Sequence, residues 1–524
     1  MGVSKVVIWR IFSALTIALL CVAAFEYCRA LTDGELVYAL DDSYIHLQIA
    51  RNLAEHGVWG IRPNELAFGS SSPLWTCLLA ATFKVIGFHE WVAGVYSTLS
   101  CCLVAMMLDL LLVERIRSHV VRYAIVVAMC LMLPVSTAAI LGMEHALHAL
   151  CLLGFLHMYL KRSDLGMAVF ALVSVGVRYE SLFLVLPLAC VELLQKRYVA
   201  AIFSLFGAAV VPLVYGAFAM SNGGCFLPNS LMVKSALAME ASFFWKLMDV
   251  AWCGSVVNNP MVYYTGIAAL LMALHPRLSW RFRLGLLSCA VAVFGHLVFA
   301  QTGWIYNVNR YEIYLFATVP IMLIVSILEV SSKDFDTPGE RLASSGLRCG
   351  CLVFMSLLLF RSQDSGIRAL RASLETYQTP MLAAKVLASI PPEHRGGIFL
   401  NDLGIIAERT DEPIADVCGL GDQLTFNLLR RSERTPENMM KVLQERGVRY
   451  AAIYPTMWTS MMLRHYAKKD PVAVAEGVKQ SIWETGPLCL YAMTPEDEEF
   501  LAEHLRHLPF ALPKGISFSI RSDL

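Results

Sequence analysis

The chain has 524 residues, of which 57% are hydrophobic and only 16% charged, and its formal net charge is zero. Soluble domains carry about 25% charged residues, so this composition predicts a protein that crosses a membrane several times and excludes an ordinary soluble fold. The balanced charge provides no basic surface of the kind that attracts nucleic acid, which excludes that class of partner.

The chain begins with an apolar segment at residues 11–25, which follows Lys5 and Arg10. A short apolar segment behind positive charges resembles a secretory signal peptide. However, the stretch CVAAFEYCRA that ends it has only a loose small-residue cleavage pattern, and many more apolar segments follow. We therefore expect a retained signal anchor.

Eleven apolar segments are predicted to cross the membrane, because a spanning helix needs about 20 mostly apolar residues. They lie at residues 7–25, 91–113, 123–141, 143–160, 165–177, 180–194, 198–219, 261–275, 284–301, 312–329 and 349–361. Several of them are short. A further apolar run at residues 73–87 is also short and contains Lys84, so we expect it to lie along the membrane interface.

The basic loops support this arrangement. With the run 73–87 at the interface, five basic loops fall on the same side as the amino terminus, as the positive-inside rule requires. These loops are residues 114–122, 161–163, 195–197, 275–283 and 331–348. We therefore predict a multi-pass plasma (inner) membrane protein with a cytoplasmic amino terminus and an extracytoplasmic carboxyl-terminal domain.

The composition changes near residue 362, where the long apolar segments end. The stretches GGIFLND and VRYAAIYP predict strands, and TPENMMKVLQERG predicts a helix capped by Thr435. The predicted fold class is an α-helical polytopic membrane protein with about 11 transmembrane helices and a soluble extracytoplasmic α/β domain. The transmembrane catalytic module is placed at residues 1–361, including a first outer loop at 26–90, and the α/β domain at 362–524.

Two adjacent aspartates open the stretch DDSYIHLQIARNLAEHG on the outer face, which has the apolar stripe of a helix ending at Gly57. We expect Asp42 to cap this helix by accepting hydrogen bonds from its first amides. Asp41 precedes the cap and is predicted to point into a cleft, where burial and a second acid raise its affinity for protons. A carboxylate in that position can take the proton of a sugar hydroxyl.

Six short motifs, in the same order, resemble those of membrane glycosyltransferases of the GT-C superfamily. The first outer loop, DDSYIHLQIARNLAEHGVWGIRPNELAFGSSSPLW, is especially similar to the branch that contains mycobacterial terminal arabinofuranosyltransferase. The other five motifs are LGMEHAL (141–147), VRYESLFLVLPL (177–188), GGCFLPNSLMVKS (223–235), VNRYEIYLFATVP (308–320) and LNDLGIIAERTDEPIADVCGLGD (400–422). In the third motif Tyr179 stands where the branch usually has proline.

The resemblance implies an inverting hexosyl- or pentosyltransferase. Such an enzyme moves a monosaccharide from a polyprenyl phosphate to an envelope glycan, lipid or protein acceptor outside the membrane. It implies that Asp41 is the general base and that Asp42 caps the helix and orients the acceptor. Because the leaving group is a phosphate, neither a nucleophilic residue nor a divalent metal or other cofactor is expected. The sugar itself is left open.

Further site residues are predicted from their charge and position. Arg178, Lys234 and Arg310 are expected to bind the donor phosphate, since a guanidinium grips phosphate with two hydrogen bonds. Supporting or acceptor-binding roles are expected for His46, Glu144, Glu180, Asn229, Asp402 and Asp416. Each of these residues has a structural alternative. Arg178 and Glu180 could form a salt bridge, and Lys234 and Arg310 could anchor the chain at the membrane surface. His46 could be a structural histidine, and Asp402 and Asp416 could cap helices or form turns.

Three other functions are compatible with parts of this pattern. A transporter or flippase would also be apolar with charges at the span ends, although such proteins usually contain inverted repeats, which we do not find. A non-catalytic membrane scaffold would not need Asp41. Within the superfamily, an oligosaccharyl transferase would need acids that hold a divalent metal, and no matching D-x-D motif occurs in an outer loop. The D-E start of the protein-mannosylating branch is also missing.

Overall fold

The computed structural model describes residues 2–234, 260–300, 309–331, 338–454, 462–464, 467–479 and 487–523. The apolar part of the chain is helical. Its helices are α1 (Gly2–Leu31), α2 (Asp42–His56), α3 (Pro73–Ile86), α4 (Trp91–Leu112), α5 (His119–Met132), α6 (Val135–Ile140), α7 (His145–Lys161), α8 (Asp164–Val177), α9 (Leu182–Leu194), α10 (Tyr198–Ser221), α11 (Asn229–Lys234), α12 (Pro260–Ala273), α13 (Trp280–Phe299), α14 (Ile313–Ser331) and α15 (Pro338–Gln378).

Five of the described helices are long and apolar enough to cross a membrane, judged by length and composition. They are α1, α4, α10, α13, and α14 taken together with the short 3₁₀ turn that begins at Arg310. Helices α3, α5, α8 and α12 are apolar but shorter. The described helices are therefore those of a membrane protein, and the count of eleven spans stays a prediction.

The structure differs from the predicted elements at two places. The predicted span 123–141 is two helices, α5 and α6, because Pro134 has no backbone N–H to continue a helix and its ring clashes with the preceding turn. The predicted span 349–361 is the middle of the 41-residue helix α15, which continues across residue 361 to Gln378. The predicted interfacial run 73–87 is helical, as α3.

A six-stranded sheet follows the helices. Its strands are β1 (Gly397–Leu400), β2 (Ile414–Asp416), β3 (Val448–Ile453), β4 (Ala473–Glu476), β5 (Cys489–Ala492) and β6 (Ser517–Ile520), in the spatial order β2-β1-β3-β5-β4-β6. Strand β1 pairs in parallel with β2 and β3, and the other pairs are antiparallel. The helices of this part are α16 (Pro380–Ser389), α17 (Leu403–Arg409), α18 (Gln423–Arg430), α19 (Pro436–Glu445) and α20 (Pro495–Arg506). We call residues 397–520 the sheet segment.

Several local predictions in these elements are confirmed. The two predicted strands are β1 and β3, and the predicted helix is α19, where the Thr435 hydroxyl accepts a hydrogen bond from the Asn438 amide. Helix α2 ends as predicted at Gly57, which adopts φ 71° so that its amide can reach carbonyls of the last turn. These features follow from short-range chemistry, because each depends on residues within a few positions.

The sheet segment packs against α2 in the first outer loop. Ile45 and Ile49 of α2 belong to the same buried hydrophobic cluster as Leu403 and Ile406 of α17. Complete burial of such a side chain stabilises a fold by about 1.5–3 kcal/mol. The two helices approach closely at Gly404, where a Cβ atom would lie 2.1 Å from the backbone oxygen of Asp41. The packing therefore brings the start of α17 against the start of α2, where the paired aspartates lie.

Candidate active site

The structure gives Asp41 and Asp42 contacts that differ from the predicted ones. Asp41 occupies the cap position of α2 but makes no capping hydrogen bond with its side chain. Its carboxylate accepts hydrogen bonds from the amides of Gly404, at 2.6 Å, and Ile405, at 2.8 Å, so it binds the start of α17 instead. The first amides of any helix lack partners within the helix and attract a carboxylate. The predictions that Asp42 caps α2 and that Asp41 points freely into a cleft are therefore wrong.

A second acid lies beside Asp41. Asp402 precedes α17, and its carboxylate accepts a hydrogen bond from the Tyr454 hydroxyl. Burial raises the pKa of Asp402 to about 6. Burial and the charge of Asp402 together raise the pKa of Asp41 well above its usual value, although two amide hydrogen bonds oppose this shift. The two carboxyl groups thus hold a proton more tightly here than in the unfolded chain.

The raised pKa of Asp402 predicts how the stability of the protein changes with pH. A carboxyl group with a raised pKa in the folded state loses stabilising free energy as the pH rises from its unfolded pKa, about 3.9, to its folded pKa. We therefore expect the free energy of unfolding to fall between about pH 4 and pH 6, and Asp402→Asn to flatten that fall. Chemical unfolding of the purified protein at several pH values measures both curves. An equally steep fall in the variant would contradict the assignment to Asp402.

A cavity of about 310 Å³ lies beside the start of α2, at the outer ends of several helices as the predicted topology orients them. It is within the range of small-molecule sites in proteins, about 300–1,000 Å³. The charged or polar residues that line it include Asp42, His46, Ser71, Arg178, Glu180, Ser230 and Tyr311. Its apolar lining includes Ile45, Met143, Leu182, Phe183, Leu227, Leu231, Phe299 and Leu420. The cavity therefore offers charged and polar side chains to a charged group and apolar side chains to hydrocarbon.

Asp42 is the aspartate that faces this cavity. Its carboxylate lies 2.7 Å from a terminal nitrogen of Arg310, and its side chain is 23% exposed. The same nitrogen of Arg310 also donates to the Tyr311 hydroxyl at 2.7 Å. Arg310 is buried behind these two lining residues. The Asp42 carboxylate is thus paired with a cation, and an adjacent cation favours the charged form of a carboxylate.

Arg178 joins two buried acids at the cavity wall. It donates to both carboxylate oxygens of Glu180, at 3.2 and 2.5 Å, and to Glu144 Oε1 at 2.5 Å. Its guanidinium also lies over the Tyr311 ring, 5.3 Å from the ring centre. The predicted alternative of a salt bridge between Arg178 and Glu180 is confirmed. Among the described residues, three of the five guanidinium N–H groups donate hydrogen bonds in this way.

His46 lies one turn after Asp42 on α2. Its Nδ1 is 3.2 Å from the Ser70 hydroxyl and 3.4 Å from the Thr76 hydroxyl, and its Nε2 is 3.8 Å from Glu144 Oε2. Glu144 is fully buried and also accepts a hydrogen bond from Ser72 at 2.7 Å. Glu144 thus connects His46 and Arg178 from behind the cavity wall.

Asn229 and Asp416 shape the side of the cavity that the sheet segment closes. The Asp416 carboxylate accepts hydrogen bonds from three backbone amides between residues 418 and 421, and burial raises its pKa to about 6. This turn holds Leu420 against Gly69, where a Cβ atom would lie 2.3 Å from the Leu420 oxygen. The Asn229 side chain donates to the Gly419 oxygen at 3.4 Å. Both residues therefore position the cavity wall.

Two predicted site residues are placed elsewhere. Asp402 does not line the cavity and contacts Tyr454 at the interface with α2. Lys234 is the last residue of α11, and its side chain lies outside the described residues. Ser230 and Leu231 of the same helix line the cavity.

Sequence reasoning missed Tyr311, Ser72 and Leu420. Tyr311 lies between the two cavity cations, with Arg310 4.6 Å from its ring centre. Tyr311 could have been identified from the sequence because it directly follows Arg310 in the stretch VNRYE. Ser72 belongs to SSSPLW, a motif that was noted only for its resemblance. Leu420 could not be identified from the sequence, because it reaches the cavity only through the packing of the sheet segment.

The chain was also compared with known proteins. No protein-family model and no curated protein matches it. Among solved structures it is similar to ArnT from Cupriavidus metallidurans bound to undecaprenyl phosphate, at 13% identity and a TM-score of 0.47, over 91% of this chain and 98% of that chain. The apo state of the same protein is similar at 12% identity and a TM-score of 0.47, over the same shares of the two chains. At these values the similarity does not identify a function, so the function is inferred from the residues of the chain itself.

Proposed function

We propose that this chain is an inverting glycosyltransferase of the GT-C type. It moves a monosaccharide from a polyprenyl phosphate to an envelope glycan, lipid or protein on the outer face of the plasma (inner) membrane. The observation that carries the proposal is the cavity that is lined by the carboxyl group of Asp42 and the guanidinium of Arg178 together with apolar side chains. The apolar side chains suit the polyprenyl chain, and the charged and polar side chains suit the phosphate and the sugar.

The reaction needs one base and one anion site. An acceptor hydroxyl attacks the anomeric carbon from the face opposite the phosphate, and Asp42 takes the proton of that hydroxyl. The bond between the anomeric carbon and the phosphate oxygen breaks, and the polyprenyl phosphate leaves with the bonding electrons. Because phosphate is a good leaving group, we propose that no divalent metal or other cofactor takes part.

Arg178 is the proposed phosphate ligand, supported by Arg310 and Lys234. A guanidinium holds a phosphate by two parallel hydrogen bonds, and an ammonium cannot reproduce this contact. Arg178→Lys should therefore weaken donor binding by about 10- to 100-fold, the effect of losing one charge-assisted hydrogen bond. Arg51→Lys is the matched control, because Arg51 pairs with Glu55 on the exposed side of α2. Unchanged donor affinity in a folded Arg178→Lys protein would leave Arg178 with a structural role alone.

The proposal is tested by transfer from synthetic polyprenyl-phosphate sugars by the purified protein. Pentoses and hexoses are both offered, and the similarity of the first outer loop to the arabinofuranosyltransferase branch makes a pentofuranose the first donor to try. We expect an inverted glycoside and free polyprenyl phosphate in stoichiometric amounts, in the presence of EDTA. Donor that is carried across liposomes without cleavage would instead indicate a transporter or flippase.

A further inference from the structure

Leu420 is the one residue of the sheet segment among the described residues that line the cavity. Much of the apolar lining comes from helices of the apolar part of the chain, such as Leu182 and Phe183 of α9 and Phe299 of α13. Leu420 is itself buried, with 6% of its surface exposed. The sheet segment therefore meets the cavity through a single apolar residue.

A buried carboxylate fixes the turn that carries Leu420. Asp416 is fully buried at the end of β2. Its carboxylate accepts hydrogen bonds from three amides of the turn, those of Cys418, Leu420 and Gly421, at 2.9, 2.5 and 3.0 Å. Gly419 adopts φ 65°, which residues with a side chain rarely adopt, and its amide donates to the Asp416 carbonyl oxygen at 3.1 Å. The turn cannot shift without leaving a buried carboxylate short of hydrogen bonds.

Two other outer segments hold this turn in place. Gly69 of the first outer loop lies so close that a Cβ atom there would be 2.3 Å from the Leu420 oxygen. Asn229, at the start of α11, is fully buried and donates from its side chain to the Gly419 oxygen at 3.4 Å. Its backbone amide donates to the Phe68 oxygen at 2.8 Å. Leu420 therefore has a fixed position relative to the first outer loop, which also carries the proposed base.

The two substrates of the proposed reaction reach the cavity from different surroundings. The polyprenyl phosphate lies in the bilayer, so its hydrocarbon meets the part of the wall that the membrane helices form. The acceptor comes from the aqueous side, where the predicted topology places the sheet segment. A wall residue that the sheet segment supplies is thus on the side from which the acceptor enters.

We propose that Leu420 is a specificity-determining residue for the acceptor, and that Asp416 and Asn229 are positioning residues that act through it. The inference rests on the proposed function, because the acceptor is the hydroxyl compound of the glycosyl transfer. An apolar side chain held in a fixed position has no room for additional atoms and offers no partner to a charge. The acceptor class is therefore a hydroxyl compound with a small, uncharged group next to the accepting hydroxyl.

The experiment measures transfer from a polyprenyl-phosphate sugar to octyl glycosides of pentoses and hexoses, and to the same glycosides with one hydroxyl converted into a methyl ether. The selectivity ratio is the rate of transfer to a glycoside divided by the rate to its ether. One methylene group against an apolar wall changes such a ratio by about 10- to 200-fold. For the ether next to the accepting hydroxyl, Leu420→Ala should lower the selectivity ratio by about tenfold or more, and Leu420→Phe should raise it.

Leu505→Ala is the matched control. Leu505 is also 6% exposed and belongs to the same buried hydrophobic cluster as Leu420, but it is not among the described residues that line the cavity. Its substitution should lower the stability of the protein and leave the selectivity ratio at the wild-type value. Leu420→Val is a smaller change of the same sign, in case Leu420→Ala does not fold.

A double-mutant cycle tests the positioning residues. Asp416→Asn replaces one acceptor oxygen by a group that the amides of the turn cannot bind, and Asn229→Asp removes the donor to Gly419. Each should lower the selectivity ratio in the wild-type background and change it no further in Leu420→Ala, because residues that act through one contact are not additive. A merely structural role would lower stability and leave the ratio unchanged. Equal effects on the ratio in both backgrounds would overturn the positioning role.

The remaining outcomes separate this inference from the proposed function. Selectivity ratios that stay at the wild-type value in Leu420→Ala and Leu420→Phe, while transfer continues, would overturn the inference alone. A change in donor Kd, or in the preference between pentose and hexose donors, with constant selectivity ratios would place Leu420 against the donor and overturn it as well. A wild-type protein that transfers sugar to none of the glycosides would refute the proposed function, and this inference with it.

Discussion

Replacing Asp42 by asparagine should lower the turnover of sugar transfer by about 10²–10⁴, the usual contribution of a general base. Asparagine has nearly the same shape and still offers an oxygen to Arg310, so the protein should fold and the cavity should persist. It cannot accept the proton of the acceptor hydroxyl, so the chemical step should be slow. The measurement is single-turnover transfer from a polyprenyl-phosphate sugar, together with donor affinity, which should change far less than the rate.

Asp41→Asn is the matched comparison, because it makes the same substitution one position earlier. Its carboxyl group binds amides of α17, and burial and the charge of Asp402 raise its pKa. Asparagine resembles a protonated aspartate and retains one acceptor for those amides. We therefore expect transfer by Asp41→Asn to stay within about tenfold of wild type. Loss of transfer in Asp41→Asn with full transfer in Asp42→Asn would assign the base to Asp41.

The different contacts of Asp41 and Asp42 show which features the sequence could not predict. The sequence indicated a helix from the repeat of Ile45 and Ile49, and its end from Gly57, since both depend on local chemistry. It could not indicate which carboxylate faces the cavity. Asp41 binds amides that lie 363 and 364 positions away, and Asp42 binds an arginine 268 positions away. Short-range preferences for capping are overridden by such contacts.

The pairing of charges around Arg178 could also not be predicted from the sequence alone. The sequence suggested a salt bridge between Arg178 and Glu180 as one alternative, and the structure contains it. Charge alone did not indicate that one guanidinium would pair with both acids, because that depends on how the start of α7 packs against the end of α8. His46 is a further case: the sequence did not indicate that its ring lies between Glu144 and the hydroxyls of Ser70 and Thr76. Composition and spacing predict which groups occur together, and packing decides how their charges are shared.

Because Arg178 pairs with both Glu144 and Glu180, its removal should strongly lower the stability of the protein. Arg178→Ala removes the guanidinium that pairs with the buried carboxylates of Glu144 and Glu180, and breaking a buried ion pair in this way costs about 3–5 kcal/mol. We expect the free energy of unfolding, measured with a chemical denaturant in detergent, to fall by about that amount. Arg368→Ala is the control, since its pair with Asp364 is about 40% exposed and such pairs contribute about 0.2–1 kcal/mol.

A rescue experiment separates the structural role of Arg178 from its role in binding. Adding Glu144→Gln and Glu180→Gln to Arg178→Ala removes the two carboxylate charges while keeping the side-chain volumes. Most of the lost stability should return, because the penalty comes from buried charge rather than from missing contacts. Donor affinity should not return, because the guanidinium that holds the phosphate is still missing. A triple variant as unstable as Arg178→Ala would attribute the loss to the empty space left by the side chain. A triple variant that regains donor binding would remove Arg178 from the phosphate site.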